Sequence, residues 1–514
     1  MAQPPGSRLR WSIGLTFALV SALVLSACGG LSGGDEPSGN GNKTLRIGMA
    51  SDAQSLDPPN FVLAGDFTRD NLVYEGLVKL TNDGQFEPSL ATSWKQVSDT
   101  EWDFKLREGV KFQDGTDFDS AAVKKSLERA STQAQGKGFL GMIKEVQTPD
   151  PMTARLVLTN PFSSILNNLT VPVAAIISPK ALDEKGDKIA KEPVGTGPFE
   201  FVEWIPDTSM TFKRYSGYWG DKPSVDKVSF IPIPEASTRY SALQAGDIDV
   251  IENPPPDQAA SLKSSSDFYL ITEPKARPIF LGFNLKTVTN PVIRKAVAHA
   301  IDRNAIVDDV LEGIGNAANE GLVSPEFLKN DPPIKLDYNP EESKKLLKDA
   351  GLSNVKLTLT LPAARYLKDK DIGEVVQQQL AKVGITLKLD VQEAGTWYQS
   401  LLDHKTEMYY LGWGMSSGDP GDMLLRVFRS DSVNNMSQFK DPAVDAQIDS
   451  LATLEVGSDE RNQVMQDVQR KLVEDDAVVI PLYHMVNFFA ARKGVQNFHT
   501  TTSELIDLSD VTVD

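Results

Sequence analysis

Residues 355–391 read VKLTLTLPAARYLKDKDIGEVVQQQLAKVGITLKLDV. Val355, Leu357, Leu359 and Leu361 alternate with polar residues, the period of a strand with one buried face. Gly373 to Lys382 reads as a helix, and Ile385, Leu387, Leu389 and Val391 alternate again as a second strand. Strand, helix and strand in that order require a crossover connection, which makes the strands parallel and lays the helix on the sheet. The predicted class is α/β.

The flanking sequence agrees. Asn290-Pro291 is a helix cap followed by proline at the first helical position, and Val292, Ala296, Val297, Ala300 and Ile301 then share one face. Asn339-Pro340-Glu341-Glu342 repeats the device, with Glu342 placed to complete a capping box and Gly351 to end the helix. Nearer the N-terminus, Leu45, Ile47 and Met49 predict a strand, closed by a loop from Ala50 to Asn60 whose paired prolines prevent regular structure. Trp102, Phe104 and Leu106 alternate likewise, Asp114-Gly115 marks a turn, and Asp119 or Ser120 caps a helix that carries Val123 and Leu127 on one face.

The first residues have a different character. Arg8 and Arg10 precede an uncharged apolar run from Trp11 to Ala27, the layout of a secretory signal, with an uncleaved membrane helix as the alternative. Leu25-Ser26-Ala27-Cys28 resembles a bacterial lipoprotein signal, which implies cleavage before Cys28 and acylation of its thiol. Cys28 is the only cysteine, so no disulfide forms within the chain. Gly29 to Lys43 (GGLSGGDEPSGNGNK) is rich in Gly and Ser and predicts a flexible tether, with a root-mean-square span on the order of 20 Å.

The chain has 514 residues and a formal charge of −18, which becomes two units more negative once Arg8 and Arg10 are lost. That balance argues against nucleic acid or anionic lipid as a partner. The length suffices for two or three lobes.

Catalytic signatures are sparse. The sequence lacks GxxxxGK[ST] and HExxH, and His299, His404, His484 and His499 are scattered without metal-ligand spacing. No cofactor or metal is expected. Gly414-Met415-Ser416-Ser417-Gly418 fits GxSxG after the apolar stretch Met408 to Trp413, with acids and His484 later in hydrolase order. Against a serine hydrolase at Ser416, a nucleophile elbow turns directly into a helix, whereas Asp419-Pro420-Gly421-Asp422 delays one. The competing reading makes this a strand end lined with small polar residues, where open α/β sheets bind ligands.

Several stretches together resemble the extracellular solute-binding proteins of the peptide and nickel type, the dipeptide, oligopeptide, nickel and glutathione receptors of ABC importers. They are Leu90-Ala91-Thr92-Ser93-Trp94 with Trp102 to Phe112 (WDFKLREGVKF), Gly195-Thr196-Gly197-Pro198-Phe199 and Ala245-Gly246-Asp247-Ile248-Asp249. Further on come Arg294-Lys295-Ala296-Val297 with Ile301-Asp302-Arg303, and Ile480-Pro481-Leu482-Tyr483. The resemblance implies a two-lobed periplasmic-binding-protein fold that closes on ligand about a hinge. Lobe I would comprise 44–75, 194–284 and 488–514, an inserted domain II 76–193, and lobe III 285–487. Hinge strands are expected near Phe280 to Leu285 and Tyr483 to Ala490. The implied protein is a monomeric, extracytoplasmic, lipid-anchored receptor that passes a small peptide-like solute to separate permease and ATPase chains; a nickel-chelate or sugar receptor is the alternative.

The resemblance also points to ligand residues. Arg365 matches the family arginine that pairs with a peptide's terminal carboxylate, and a guanidinium can grip a carboxylate through two parallel hydrogen bonds. Trp413 stands where an aromatic faces the cleft. The family acid for the ligand's amine falls at Ser416, which supplies no charge; Asp419 is the candidate to compensate. The Ser416-Ser417-Gly418 turn and the tail Gly494 to Asp514 look more like glutathione-type receptors. In lobe I, Ser51 and Asp52, and at its far strand end Asn284, complete the expected cleft.

Overall fold

Residues 355–391 fold as their pattern requires. Strand Val355–Pro362 pairs in parallel with Ile385–Gln392 on one side and with Met408–Gly412 on the other. The intervening helix, Asp369–Ala381, begins before Gly373. Asp369 is buried there, and its Oδ2 accepts the backbone N–H groups of Arg365 and Tyr366, which ties the preceding loop to the helix start.

The computed structural model describes residues 43–514 other than 61–63, 83, 134, 329–333, 364 and 502. Cys28 and most of the expected tether therefore lie outside the described residues. Asn42–Asp514 is one compact unit. Its main sheet runs, in spatial order, Ile385–Gln392, Val355–Pro362, Met408–Gly412, Phe268–Phe283, Val479–Arg492, Val250–Glu252, Thr44–Met49, Lys227–Pro232, Ser209–Arg214 and Phe199–Ile205. The two long strands in the middle, Phe268–Phe283 and Val479–Arg492, are antiparallel and join two lobes.

Separate hydrophobic cores define the bodies on either side. The C-terminal lobe has one core drawn from residues 276–483, including Phe280, Leu359, Trp397 and Tyr410. The N-terminal lobe has another, built on Leu45, Ile47, Phe212, Phe230 and the tail residues Ile506 and Val511. A third lies between the antiparallel sheet Ala91–Ser98, Glu101–Leu106, Thr153–Leu158, Ile143–Asp150 and the helix Ser120–Thr132, where Phe104, Val123, Leu127 and Leu156 are buried. Asp119 caps that helix by accepting the N–H of Ala122.

Two local expectations change. Phe280, Leu281 and Phe283 are buried within the C-terminal core. The crossing between lobes comes earlier, where strand pairing breaks between Pro274 and Pro278, opposite Val486 and His484. Prolines lack the N–H that a ladder needs, so the strand bulges there and redirects Lys275 and Arg277. At Asn339 the side chain does accept the N–H of Glu342, but the Asn339 N–H goes to the His299 carbonyl. The reciprocal half of the capping box is thereby replaced by a tertiary bond.

Charged residues in the family-like stretches act as braces. Asp249 holds Arg46 through both carboxylate oxygens, at 2.9 and 2.6 Å. Arg294 donates to the carbonyls of Val288, Asp476 and Ala477, and the buried Arg303 donates to Pro481. Arg294 and Arg303 thus serve as donors to backbone carbonyls, whereas Arg46 is held by a carboxylate.

Candidate ligand cleft

Strand Val355–Pro362 delivers Arg365 to the carboxyl end of the sheet. Its side chain is exposed, with the guanidinium carbon 5.4 Å from the Tyr366 ring centroid and 5.7 Å from that of Trp397. Cations over aromatic faces are attracted by the ring quadrupole, which orients Arg365 without neutralising it. Among the described residues no carboxylate forms an ion pair with it. Tyr366 locks the platform in place: its hydroxyl accepts the Gly412 N–H at 3.1 Å and donates to the Gly412 carbonyl at 3.2 Å. A Cβ on Gly412 would collide with Ile279 Cδ1 and lie 3.0 Å from Tyr366 Cε1, so only glycine lets the ring approach.

Beyond Gly412 the chain keeps pairing with the bulged strand, through Trp413 N–H to the Pro278 carbonyl and Met415 N–H to that of Ala276. Trp413 is half-buried against the C-terminal core. Next to it, a Cβ on Gly414 would lie 2.6 Å from Arg277 Nη2 and 3.1 Å from Glu504 Oε1. Arg277 holds both Glu504 oxygens, at 2.8 and 3.1 Å, and Lys275 approaches Glu504 at 3.1 Å. Burial by itself would raise the Glu504 carboxyl; the charges of Arg277 and Lys275 outweigh it and hold the group below the ordinary range.

On the other side of this cluster a cavity opens beyond the carboxyl ends of strands Thr44–Met49 and Val250–Glu252. It is a small open pocket, lined in part by Met49, Glu252, Asn253, Lys275, Asn487 and Glu504.

The remaining expected residues divide. Ser416 is half-buried in the turn after Trp413, and Ser417 is fully buried, its carbonyl accepting from Asn167 Nδ2. Asp419 is not free to meet a ligand amine. Its Oδ2 is 2.6 Å from Arg461 Nη2 and accepts the Ser164 hydroxyl at 2.6 Å, its Oδ1 caps Gly421, and both partners of the ion pair are 2% exposed. Asn284 is also corrected: it is buried, donates to the His404 carbonyl and accepts from Lys286 and Gln438. It lies just past Phe283, which pairs with Met408, whereas Ile279 pairs with Gly412 at the cleft end. Asp52 turns inward on its own lobe, accepting from Trp204 Nε1, the Asp207 N–H and the Ala53 N–H. Ser51 is exposed and its carbonyl accepts from Arg69.

His484, the would-be hydrolase base, places Nε2 3.2 Å from the Leu322 carbonyl, and burial pushes its pKa down to about 4. Nothing links it to Ser416 among the described residues. Sequence reasoning missed Lys275, Arg277, Glu252 and Glu504. Only Glu252 had a nearby signal, three residues past Asp249.

Residues 85–435 match the family described as Bacterial extracellular solute-binding proteins, family 5 Middle. The chain belongs to this family. It is 32% identical over 402 residues to the glutathione-binding protein GsiB of Escherichia coli O157:H7, covering 76% of this chain and 78% of that one. Among solved structures it is similar to the ABC transporter-associated periplasmic binding protein DppA of Helicobacter pylori in complex with the peptide STSA, at 26% identity and a TM-score of 0.80 over 91% of this chain and 98% of that one. It also resembles NikA of Brucella suis in complex with Fe(III)-EDTA, at 25% identity and a TM-score of 0.82 over 92% and 100% of the two chains. The protein is therefore a two-lobed solute-binding protein of the extracellular type and not an enzyme, which removes the hydrolase reading of Ser416. Among the described residues no helix is long and apolar enough to cross a membrane, and no group of acids and histidines is placed to hold a metal.

Proposed function

We propose that the chain is the lipid-anchored receptor of an ABC importer and captures a short peptide-like solute, whose carboxylate Arg365 grips at one end of the interlobe cleft. The observation that carries this reading is the exposed Arg365 guanidinium, oriented by Tyr366 and Trp397 and unpaired with any carboxylate among the described residues. Such a group is ready for a bidentate partner and loses little freedom on binding it. Trp413, Ser416 and Ser417 frame the adjoining wall, with Ser417 as support from beneath.

The peptide complex of DppA and the glutathione-binding relative favour a peptide over other solutes. Acylated Cys28, followed by the Gly- and Ser-rich tether, keeps the receptor near its permease, where its effective concentration is high. Lobes I and III close on the solute because it contacts both, and differential affinity for the closed state drives the change. Mass spectrometry of small molecules released from the denatured protein tests the reading directly, and a peptide-like compound with a free carboxylate is the expected result. Arg365→Ala should then weaken binding of that compound roughly 10- to 100-fold, the value of a charge-assisted bond. Unchanged affinity refutes the anchor, and recovery of a sugar or a nickel chelate refutes the solute class.

A further inference from the structure

We infer that Glu504 is a positioning residue for solute capture: the C-terminal hairpin carries it to the crossing between the lobes, where its grip on Arg277 sets the angle at which they meet. The role needs no contact with solute. It goes beyond the peptide reading and holds for any solute on which the lobes close.

Three successive residues of the hairpin reach three bodies of the fold. Glu504 bonds Arg277, which lies between Ala276 and Ile279 of the C-terminal core. Leu505 is buried in the core of the inserted domain, and Ile506 in that of the N-terminal lobe. The hairpin is fastened on the N-terminal side of the crossing. Thr500 donates its N–H and its hydroxyl to Glu273 Oε2, both at 2.6 Å, and the Thr501 carbonyl accepts from Asn487 Nδ2 at 3.0 Å. Glu273 and Asn487 are themselves partners across the two long strands. Their ladder lapses between Pro274 and Pro278, and Glu504 reaches over that gap to Arg277.

Geometry makes this bond sensitive to angle. Rotation of one lobe against the other is taken up where the ladder lapses, and it swings the Arg277 guanidinium relative to the hairpin. A fork held on both carboxylate oxygens, at 2.8 and 3.1 Å, tolerates little misalignment. The contact is also shielded. Side-chain exposure is 6% for Glu504, 16% for Arg277 and 17% for Lys275, so salt screens the attraction little. Lys275 adds one contact to the same carboxylate. Opposite, a Cβ on Gly414 would lie 3.1 Å from Glu504 Oε1, so the C-terminal lobe closes the remaining side. Glu504 itself has a φ of 72°, a left-handed backbone that persists in a non-glycine residue where its surroundings over-determine it.

Paired spin labels read the angle directly. Cys28→Ser removes the only thiol, and Asp221→Cys in the N-terminal lobe with Lys382→Cys in the C-terminal lobe, both exposed, accept labels for pulsed electron resonance distance measurement. Without added solute, Glu504→Gln should lower the weight of the wild type's dominant distance, relative to all others, roughly 10-fold, the value of a charge-assisted bond. Arg277→Met should do the same, and the double variant no more than either. Glu504→Asp keeps a charge opposite both buried cations but is one methylene short of the two-pronged contact, and it should shift the distribution as well. Lys275→Met spares that contact and should leave the dominant distance in place. Leu45→Ala, a cut in the N-terminal core, should lower the melting temperature without moving the distribution. Distributions of Glu504→Gln, Glu504→Asp and Arg277→Met that superimpose on wild type overturn the inference, as does an equal shift in Leu45→Ala. Because no solute enters the measurement, its outcome is independent of whether Arg365 grips a carboxylate.

Discussion

Asp419 and Arg461 offer a sharp energetic test, because their ion pair is 2% exposed on both sides and hydrogen-bonds to Ser163 and Ser164 of another body of the fold. Besides Asp419, Arg461 donates to the Ser163 and Ser164 hydroxyls in the inserted domain and to the Leu451 and Leu454 carbonyls. Asp419→Asn keeps the side-chain shape and the cap on Gly421 but leaves the guanidinium buried without a counter-charge. Breaking a buried pair from one side costs about 3–5 kcal/mol, and the surviving carbonyl bonds place this variant near the lower figure, at about 3 kcal/mol. Arg461→Met strands the carboxylate instead and should cost a similar amount, about 3–4 kcal/mol. The double variant contains neither buried charge and should lose only about 2 kcal/mol, well short of the sum of the singles. Urea denaturation followed by tryptophan fluorescence and circular dichroism gives these values where the two transitions coincide. Because the pair joins segments 163–167 and 417–421, amide exchange in both should also rise in Asp419→Asn. A single variant costing under about 1 kcal/mol, or a double equal to the sum, refutes a coupled buried pair.

Other perturbations probe the hinge, the ligand platform and the anchor. His484 is held down at about 4 by burial, whereas an unfolded imidazole titrates near 6.5. Between those values the unfolded chain binds more protons, so stability should fall as pH drops from about 6.5 to 4, by up to about 3 kcal/mol, and His484→Gln should flatten that part of a urea-midpoint profile. Gly412→Ala should cost about 1–3 kcal/mol through its clash with Ile279 and Tyr366, and should weaken ligand binding by displacing the ring beneath Arg365; melting and titration on one preparation read both effects. Cys28→Ser should move the protein from the detergent phase to the aqueous phase in Triton X-114 partitioning, and an unchanged distribution would argue against acylation at that residue.

The expectations that held and those that moved differ in physical kind. The place of Arg365 just past a strand end was legible from sequence because that strand's alternation is unmistakable, whereas its grip on a carboxylate is the proposal made above. Asp419 misled because sequence shows a charge without its counter-charge: Arg461 is 42 residues away and the Ser164 hydroxyl 255. Asn284 misled for a related reason. A strand has two ends, and only its pairing with Met408–Gly412 tells which one meets the cleft.

By itself the sequence determined the α/β class, the strand–helix–strand unit at 355–391, and the helix caps at Asp119, Asn290 and Asn339. All of these depend on residues within one or two turns or strands of each other, where periodicity and capping chemistry act. Tertiary structure alone decided the Arg277–Glu504 bond across 227 residues, the break in pairing at Pro274–Pro278, and the meeting of Glu252 with Lys275 around one cavity. Those contacts exist only once the chain has closed long loops, and no local pattern encodes which distant charge will arrive.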